Sequence, residues 1–438
     1  MRPKLIFVAF LLLSQMLHAQ KGFQFPNHKD RVVIPFQLIN NLIFIPVTVN
    51  GVELNFLLDT GVEETILLSL EDKAEVQFFN VQKIMLRGLG SADAIEGMKS
   101  ANNELAVSGM VDKAHDLYIV LDESFNFSSH VGIPVNGIIG YHFFKDNLVE
   151  IDYDKRRLVV FRDTQKRRRK ISAKYTALPL TIEKSKPYLM ADVTCGAQTA
   201  PAKVLVDLGN SDALWLFEGR KFDVPGVHFE DYLGKGFSGD IFGRRARIER
   251  LAMGAFTFEK PIIAFPDSAS IKSVNMVAQR AGSIGGEVLR RFDLVMDYAH
   301  KMLYVRQSRT FGEAFHYNMS GIELQHQGAQ WVQETVAVKT VFQQYAFDES
   351  GNKKDNFKYK FTLKPVFAIS SIRKDSPAER CGLLKGDIVV SINGTQAHKL
   401  TLQGINNLLK SEDGKWIYIE VDRLGQILKF RFQLKAIL

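Results

Sequence analysis

Residues 55–68 read NFLLDTGVEETILL, and within them Leu57-Leu58-Asp59-Thr60-Gly61 decides how the rest of the chain is read. Two bulky apolar residues lead into an acid, a hydroxyl and a glycine, and a second apolar run follows. That order fits a buried strand ending in a tight loop with a carboxylate at its tip. Chance supplies an Asp-Thr-Gly in about one chain in ten of this length, so the triplet takes its meaning from what surrounds it.

Upstream, residues 31–59 read as strands, with Asn50-Gly51 between alternating apolar runs as a hairpin signal. Its second strand delivers Asp59. Downstream come a Gly-rich stretch at 86–100, further extended segments, and residues 136–161, which hold Ile138-Ile139-Gly140, a short helical turn and a hairpin around Asp152-Tyr153-Asp154. The same order then recurs. A hairpin at 187–206 leads into Asp207-Leu208-Gly209, a Gly-rich stretch spans 234–267, and Ser283-Ile284-Gly285 precedes a closing hairpin around Asp297-Tyr298. Asp59 to Gly140 is 81 residues and Asp207 to Gly285 is 78; Asp59 to Asp152 is 93 and Asp207 to Asp297 is 90. An internal repeat of this kind predicts two homologous β lobes, each bringing one carboxylate to a shared cleft.

On these residues the region from about 30 to 308 resembles the aspartic proteases, in the two-lobed single-chain arrangement of the pepsins but with lobes nearer in size to retropepsin subunits. The resemblance implies lobes at 30–163 and 175–308, a catalytic pair Asp59 and Asp207, and loop support from Thr60, Gly61, Gly209, Gly140 and Gly285. Two carboxylates about 3 Å apart cannot both ionise and so share one proton. The ionised one acts as general base on a water, and the protonated one polarises the scissile carbonyl. No metal or cofactor is required. Hairpins at 88–97 and 234–243 are candidate flaps over an extended peptide.

Lobe two departs from the pattern at Leu208. The family expects a hydroxyl after each catalytic Asp, reaching across to the opposite loop. Thr60 supplies one, to the Leu208 N–H and the Val206 carbonyl; position 208 returns none. An unsatisfied buried backbone group costs about 1–3 kcal/mol unless Asn210, Ser211 or water substitutes. Val62 likewise removes a possible donor to Asp59, which favours a milder acid optimum. The alternative reading is a weakly active or inactive homologue that serves as a peptide-docking protein.

At 438 residues, 46% hydrophobic and 24% charged, the chain has room for two or three globular domains, and its 32 Phe lean toward β structure. Residues 1–20 have Arg2 and Lys4, then an apolar run at 5–13 and small Ala19, which reads as a secretory signal peptide. The expectation is an exported protein, periplasmic or secreted, with no stable membrane insertion after cleavage. Cys195 and Cys381 fall in different predicted domains and read as separate thiols. The block Lys166-Arg167-Arg168-Arg169-Lys170 carries part of the +8 charge. Without aromatic platforms around it, it reads as a solvated linker at 164–174 and not as a nucleic-acid site. The ten His show no metal-protease spacing, and no Ser or Cys nucleophile has a supporting base motif.

From residue 312 the pattern changes. Ser376 is an N-cap, Pro377 the first helical position and Glu379 completes a capping box; Gly382 stops the helix. Asn393-Gly394 makes a hairpin, a helix follows near 402–409, then the strand WIYIEVDR. Residues 312–438 resemble a PDZ domain of the bacterial protease type, an α+β module. That resemblance implies a groove for a peptide C-terminus or strand, with Ser320, Gly321 and Ile322 as the loop whose N–H groups hold a terminal carboxylate. A long hairpin insertion is expected near 325–363, with its polar tip at 348–352. The whole chain is thus expected to be mainly β: two protease lobes forming one cleft, then the PDZ domain, with peptides or proteins as partners.

Overall fold

A computed structural model describes residues 22–68, 76–86, 95–120, 127–219, 221–236, 239–271, 276–337 and 357–438. The expected leader, the first flap's Gly88 and Gly90, and the polar tip at 348–352 lie outside them. The described chain is mainly β, and it packs as two units, one ending at Tyr317 and regaining residues 437–438, the other holding residues 318–436 with 129–132.

In the first unit, strands Leu42–Val49 and Val52–Leu58 pair antiparallel around Asn50-Gly51, both at positive φ, as a twisted two-residue hairpin requires. Strand Gly137–Ile139 lies parallel to Val52–Leu58, with Leu58 opposite Ile139. Strand Thr65–Leu67 runs antiparallel to Gly137–Ile139 and parallel to Met110–Val120. The second lobe repeats this threading. Strand Gln198–Val206 is parallel to Arg280–Ile284, Leu214–Leu216 runs antiparallel to that strand, and Trp215 pairs in parallel with Ala264. Where lobe one runs two long strands, Ile95–Val107 and Met110–Val120, lobe two breaks the run into Gly239–Arg247, Arg250–Met253, Phe256–Glu259 and Ile262–Pro266. On either side of the first predicted flap Gln82–Leu86 pairs antiparallel with Ile95–Val107, and at the second His228–Gly236 pairs antiparallel with Gly239–Arg247.

A third sheet takes three strands from each lobe. Its central pair joins Asn147–Asp152 to Phe292–Asp297, with Leu148 opposite Asp297 and Ile151 opposite Leu294. The basic stretch packs against this sheet. Gln165–Ser172 is a helix capped by Thr164, whose Oγ1 accepts from Arg167 N–H. Ile171 is buried with Leu148, Val159, Phe161, Val295 and Tyr304. Arg167 stacks on Phe161 and Arg168 pairs with Asp163. The stretch is therefore an amphipathic helix and not only solvated chain: one apolar residue among five cations anchors it.

The second unit forms a sheet in the order Ile322–Ala337, Phe357–Ile372, Ile388–Ile392, Trp416–Arg423, Gln426–Gln433. Ser376 caps Pro377–Arg380 by accepting from Glu379 N–H, and Gly382 at φ +95° ends it. The Glu379 carboxylate accepts from Asp375 N–H, one residue before the capping-box position. Asn393 and Gly394 form the expected turn at positive φ, and Thr401 caps Leu402–Leu409. The expected long hairpin consists of the sheet's first two strands, paired from Ile322 with Ile372 to Ala337 with Phe357. Both cysteines are free.

Helix packing makes a direct prediction. Ile171→Ala should lower stability by about 2–5 kcal/mol and exposed Arg169→Ala by less than about 0.5 kcal/mol, compared by denaturant midpoints. Equal, negligible effects would return the stretch to a solvated linker.

Candidate active site

The two acids hang from equivalent places. Asp59 N–H donates to Ile139 O and Asp207 N–H to Ile284 O, both at 2.9 Å. Each loop is also held further along, by Tyr141 N–H on Val62 O at 3.1 Å and by Gly286 N–H on Asn210 O at 2.6 Å. Backbone approach this close excludes a side chain. A Cβ on Gly140 would lie 2.6 Å from Asp59 O, and one on Gly285 would lie 2.6 Å from Asn210 O.

The loops bring the carboxylates together. A Cβ on Gly61 would sit 3.0 Å from Asp59 Oδ1 and 3.1 Å from Asp207 Oδ1, so both acids surround one point. Gly61 N–H donates to Asp59 Oδ1 at 2.6 Å, and Gly209 N–H to Asp207 Oδ1 at 3.2 Å. Gly209 also faces the partner acid: a Cβ there would overlap the Asp59 carboxylate. Thr60, fully buried, donates from Oγ1 to Val206 O at 2.6 Å and accepts from Leu208 N–H at 3.0 Å. Leu208 is buried and returns no such bond. Asn210 does not replace it: its Oδ1 accepts from Asp212 N–H, and its buried Nδ2 has no partner among the described residues. What ties this loop to lobe one instead is Asn41, whose Nδ2 donates to Ser211 O and to Glu287 Oε2, each at 2.9 Å.

The electrostatics of the two acids differ. Asp59 is pushed up from 3.8 to about 7, by burial first and then by the charge of Asp207; Gly61 N–H and Lys186 oppose this. Asp207 is also raised by burial, but Arg280, Lys186, the Gly209 N–H and the Ser283 hydroxyl all favour its charged form. Arg280 is buried, with Nη2 donating to Ser283 Oγ at 2.7 Å and Nε to Gly282 O at 3.1 Å. Arg280, and the Ser283 hydroxyl to which it donates, thus both favour a charged Asp207. Burial pushes the Lys186 ammonium down, and Arg280 adds to this. Sequence reading missed Arg280 and Lys186. One signal was available: the first apolar position of Ile138-Ile139-Gly140 is Ser283 in the repeat. Nothing in the sequence pointed to Lys186.

The lobe-two hairpin is fastened to the continuation of the Asp207 loop. Arg245 bridges Asp231 Oδ2 and Asp212 Oδ1, each at 2.7 Å, and Trp215 Nε1–H donates to Asp212 Oδ2 at 2.7 Å. Behind the lobe-one loop lies a buried line that the sequence did not announce. Thr65 Oγ1 meets His115 Nε2 at 2.7 Å, and His115 Nδ1 meets Asp112 Oδ2 at 2.8 Å. All three are at most 4% exposed, so this nucleophile–base–acid order pins strand to strand and offers no surface to a substrate. Among the described residues, Asp163, Asp297 and His300 come close enough to share an ion. Asp163 is held by Arg168, and Asp297 Oδ1 accepts from His300 N–H at 3.0 Å, which makes the group a turn cap.

Ser320, Gly321 and Ile322 lie in the other unit, where they lead into its first strand, which begins at Ile322. Their N–H groups are bonded internally: Ser320 and Gly321 donate to Asn318 Oδ1, and Ile322 donates to Ser320 Oγ. An open carboxylate cradle, as the resemblance implied, is not what this loop presents.

Two outcomes test the geometry. Thr60→Val, which keeps shape and loses both cross-loop bonds, should cost about 1–3 kcal/mol, while Thr60→Ser stays near the parent in the same melts. The folded chain holds the Asp59 proton up to about 7, and the unfolded chain releases it near 3.8. The folded state thus binds more protons in that window, and stability falls as pH rises through it. Asp59→Asn should flatten this slope and be more stable than the parent above the window, as read by denaturant midpoints on either side.

Comparisons with known proteins bear on parts of this chain. Residues 45–143 match the family model described as aspartyl protease, and residues 369–423 match that of the PDZ domain. Asp59, Thr60, Gly61 and Gly140 fall inside the first match; Asp207 lies outside both. No curated protein matches the chain. Similar solved structures include the crystal structure of aspartic proteinase from Irpex lacteus, 14% identical, with a TM-score of 0.42, covering 65% of this chain and 99% of that chain. By these matches the chain is aspartyl-protease-like over residues 45–143 and PDZ-like over residues 369–423.

Proposed function

We propose that this chain is an aspartic endopeptidase with a peptide-binding PDZ module, exported by its N-terminal leader. The observation that carries the reading is the meeting of Asp59 and Asp207 across two loops clasped by Thr60. Two buried carboxylates facing each other are costly unless their shared proton is used.

The surroundings of the two acids support the following roles. Arg280 through Ser283, together with Lys186 and the Gly209 N–H, hold the negative charge on Asp207, and the proton resides on Asp59. Asp207 takes a proton from a water as its oxygen bonds to the scissile carbonyl carbon. Asp59 gives its proton to the carbonyl oxygen, so a neutral tetrahedral diol forms and both acids exchange protonation state. When the carbon–nitrogen bond breaks, Asp207 returns its proton to the departing amine and Asp59 recovers one from the diol hydroxyl. No group beyond the chain, the peptide and water enters the balance.

A docking role without cleavage has one observation in its favour. Leu208 leaves the clasp one-sided, and the Asn210 Nδ2 beside it has no partner among the described residues. Cleavage of a random peptide library separates the two readings. The parent should cut, with activity falling above about pH 7 as Asp59 loses its proton, and Asp59→Ala and Asp207→Ala should each abolish cutting. Cleavage that survives either substitution rules out the two-acid mechanism; a parent that binds peptides but never cuts them is a docking protein. Ser283→Ala should move the acidic limb of the kcat/KM profile upward, because Asp207 loses a donor to its charged form.

A further inference from the structure

Among the described residues, strand Ile322–Ala337 stands at the end of its sheet and pairs on one side only, with Phe357–Ile372. Helix Leu402–Leu409 meets the start of this segment, where Met319 N–H donates to Leu409 O at 3.0 Å. In the peptide-binding mode of such folds, a ligand strand adds to the free edge and loop N–H groups receive its terminal carboxylate. In this chain one side chain already occupies that place.

Asn318 Oδ1 accepts from Ser320 N–H at 3.0 Å, from Gly321 N–H at 3.3 Å and from the Ser320 hydroxyl at 2.6 Å. Its Nδ2 donates to Ile322 O at 2.7 Å, which takes the first carbonyl of the edge strand as well. Ile322 N–H is bonded to Ser320 Oγ at 3.1 Å. A single planar amide thus makes the bonds of a ligand's last residue: an oxygen on the loop N–H groups and an N–H on the strand. Arg373 secures the arrangement from behind, donating from Nη1 to Asn318 O at 3.1 Å. Both Asn318 and Ser320 are buried.

An incoming carboxylate would have to displace the Asn318 amide, which makes five hydrogen bonds, among them one from Nδ2 to Glu323 Oε1 at 3.4 Å, and leave a buried amide unpaired. The roughly twofold greater strength of charged hydrogen bonds is then offset by that loss. Beyond Ile322 the strand continues as an edge, with register shifts between Glu323 and Leu324 and between His326 and Ala329, where Gly328 takes φ +85°; pairing along it asks only for an extended ligand backbone.

We propose that this module binds extended internal segments of polypeptides by strand addition along residues 323–331, with Asn318 holding the place of a C-terminal carboxylate. The partner class is unfolded or loop-bearing protein and not a peptide tail. The inference rests on the module being a peptide binder, as proposed above.

The test uses the full chain carrying Asp59→Asn, so that ligands stay intact. A pool of random nonapeptides is prepared with free C-terminal carboxylates and again as C-terminal amides. Affinity for the edge is read from protection of the amides of 323–331 against hydrogen exchange. The two pools should protect this segment with affinities within about twofold of each other. A free-acid preference of about tenfold or more would overturn the inference and leave the peptide-binding reading standing. If neither pool protects 323–331, the peptide-binding reading falls and takes the inference with it. A folded Asn318→Ala variant should acquire the free-acid preference; a variant that melts like the parent and gains none would show that Asn318 is not what holds the place.

Discussion

The Thr60 hydroxyl, buried between two lobes, is the contact on which the candidate site depends. It donates to one strand's last carbonyl and accepts from the N–H just after the opposing acid, so it fixes where two separate chain segments meet. Glycine at 61, 140, 209 and 285 is what permits the approach, since a Cβ at any of them would run into the loops or the carboxylates. Burial at that meeting point keeps Asp59 protonated far above its ordinary range. The shared proton therefore follows from packing as much as from the identity of the two acids.

Repetition built the site and asymmetry tuned it. Both lobes thread a strand beneath an acid-bearing loop in the same order, and both give three strands to a common sheet. Lobe two then loses a hydroxyl at Leu208 and gains one at Ser283, backed by buried Arg280. The lost hydroxyl loosened a mechanical clasp; the gained one biased the charge. Asn41 supplies a different tie across the same boundary. A site with unlike halves has a reason to prefer one protonation isomer, which a symmetric pair lacks.

The second unit uses the same currency of backbone amides for another purpose. Its loop closes on Asn318, and its first strand leaves an edge. Sequence order and spacing identified the module, its caps and its turns, because those rest on local φ and on capping chemistry. They also suggested a carboxylate loop at Ser320, Gly321 and Ile322, since the pattern there is a matter of backbone placement. Whether those N–H groups were free depended on a side chain two residues upstream folding back over them.

Sequence alone determined the acids, the glycines, the Thr60 clasp and the mainly β class, because a repeat in register exposes positions where only one residue type fits. It determined the hairpins at Asn50-Gly51 and Asn393-Gly394 for the same local reason. Tertiary structure decided what local rules cannot carry. Lys186 and Arg280 reach the acids through strand pairing, Ile171 turns a run of cations into a packed helix, and Thr65, His115 and Asp112 meet across 50 residues of chain. Burial sets the charge of Lys186 and of the two acids, and burial belongs to the assembled fold.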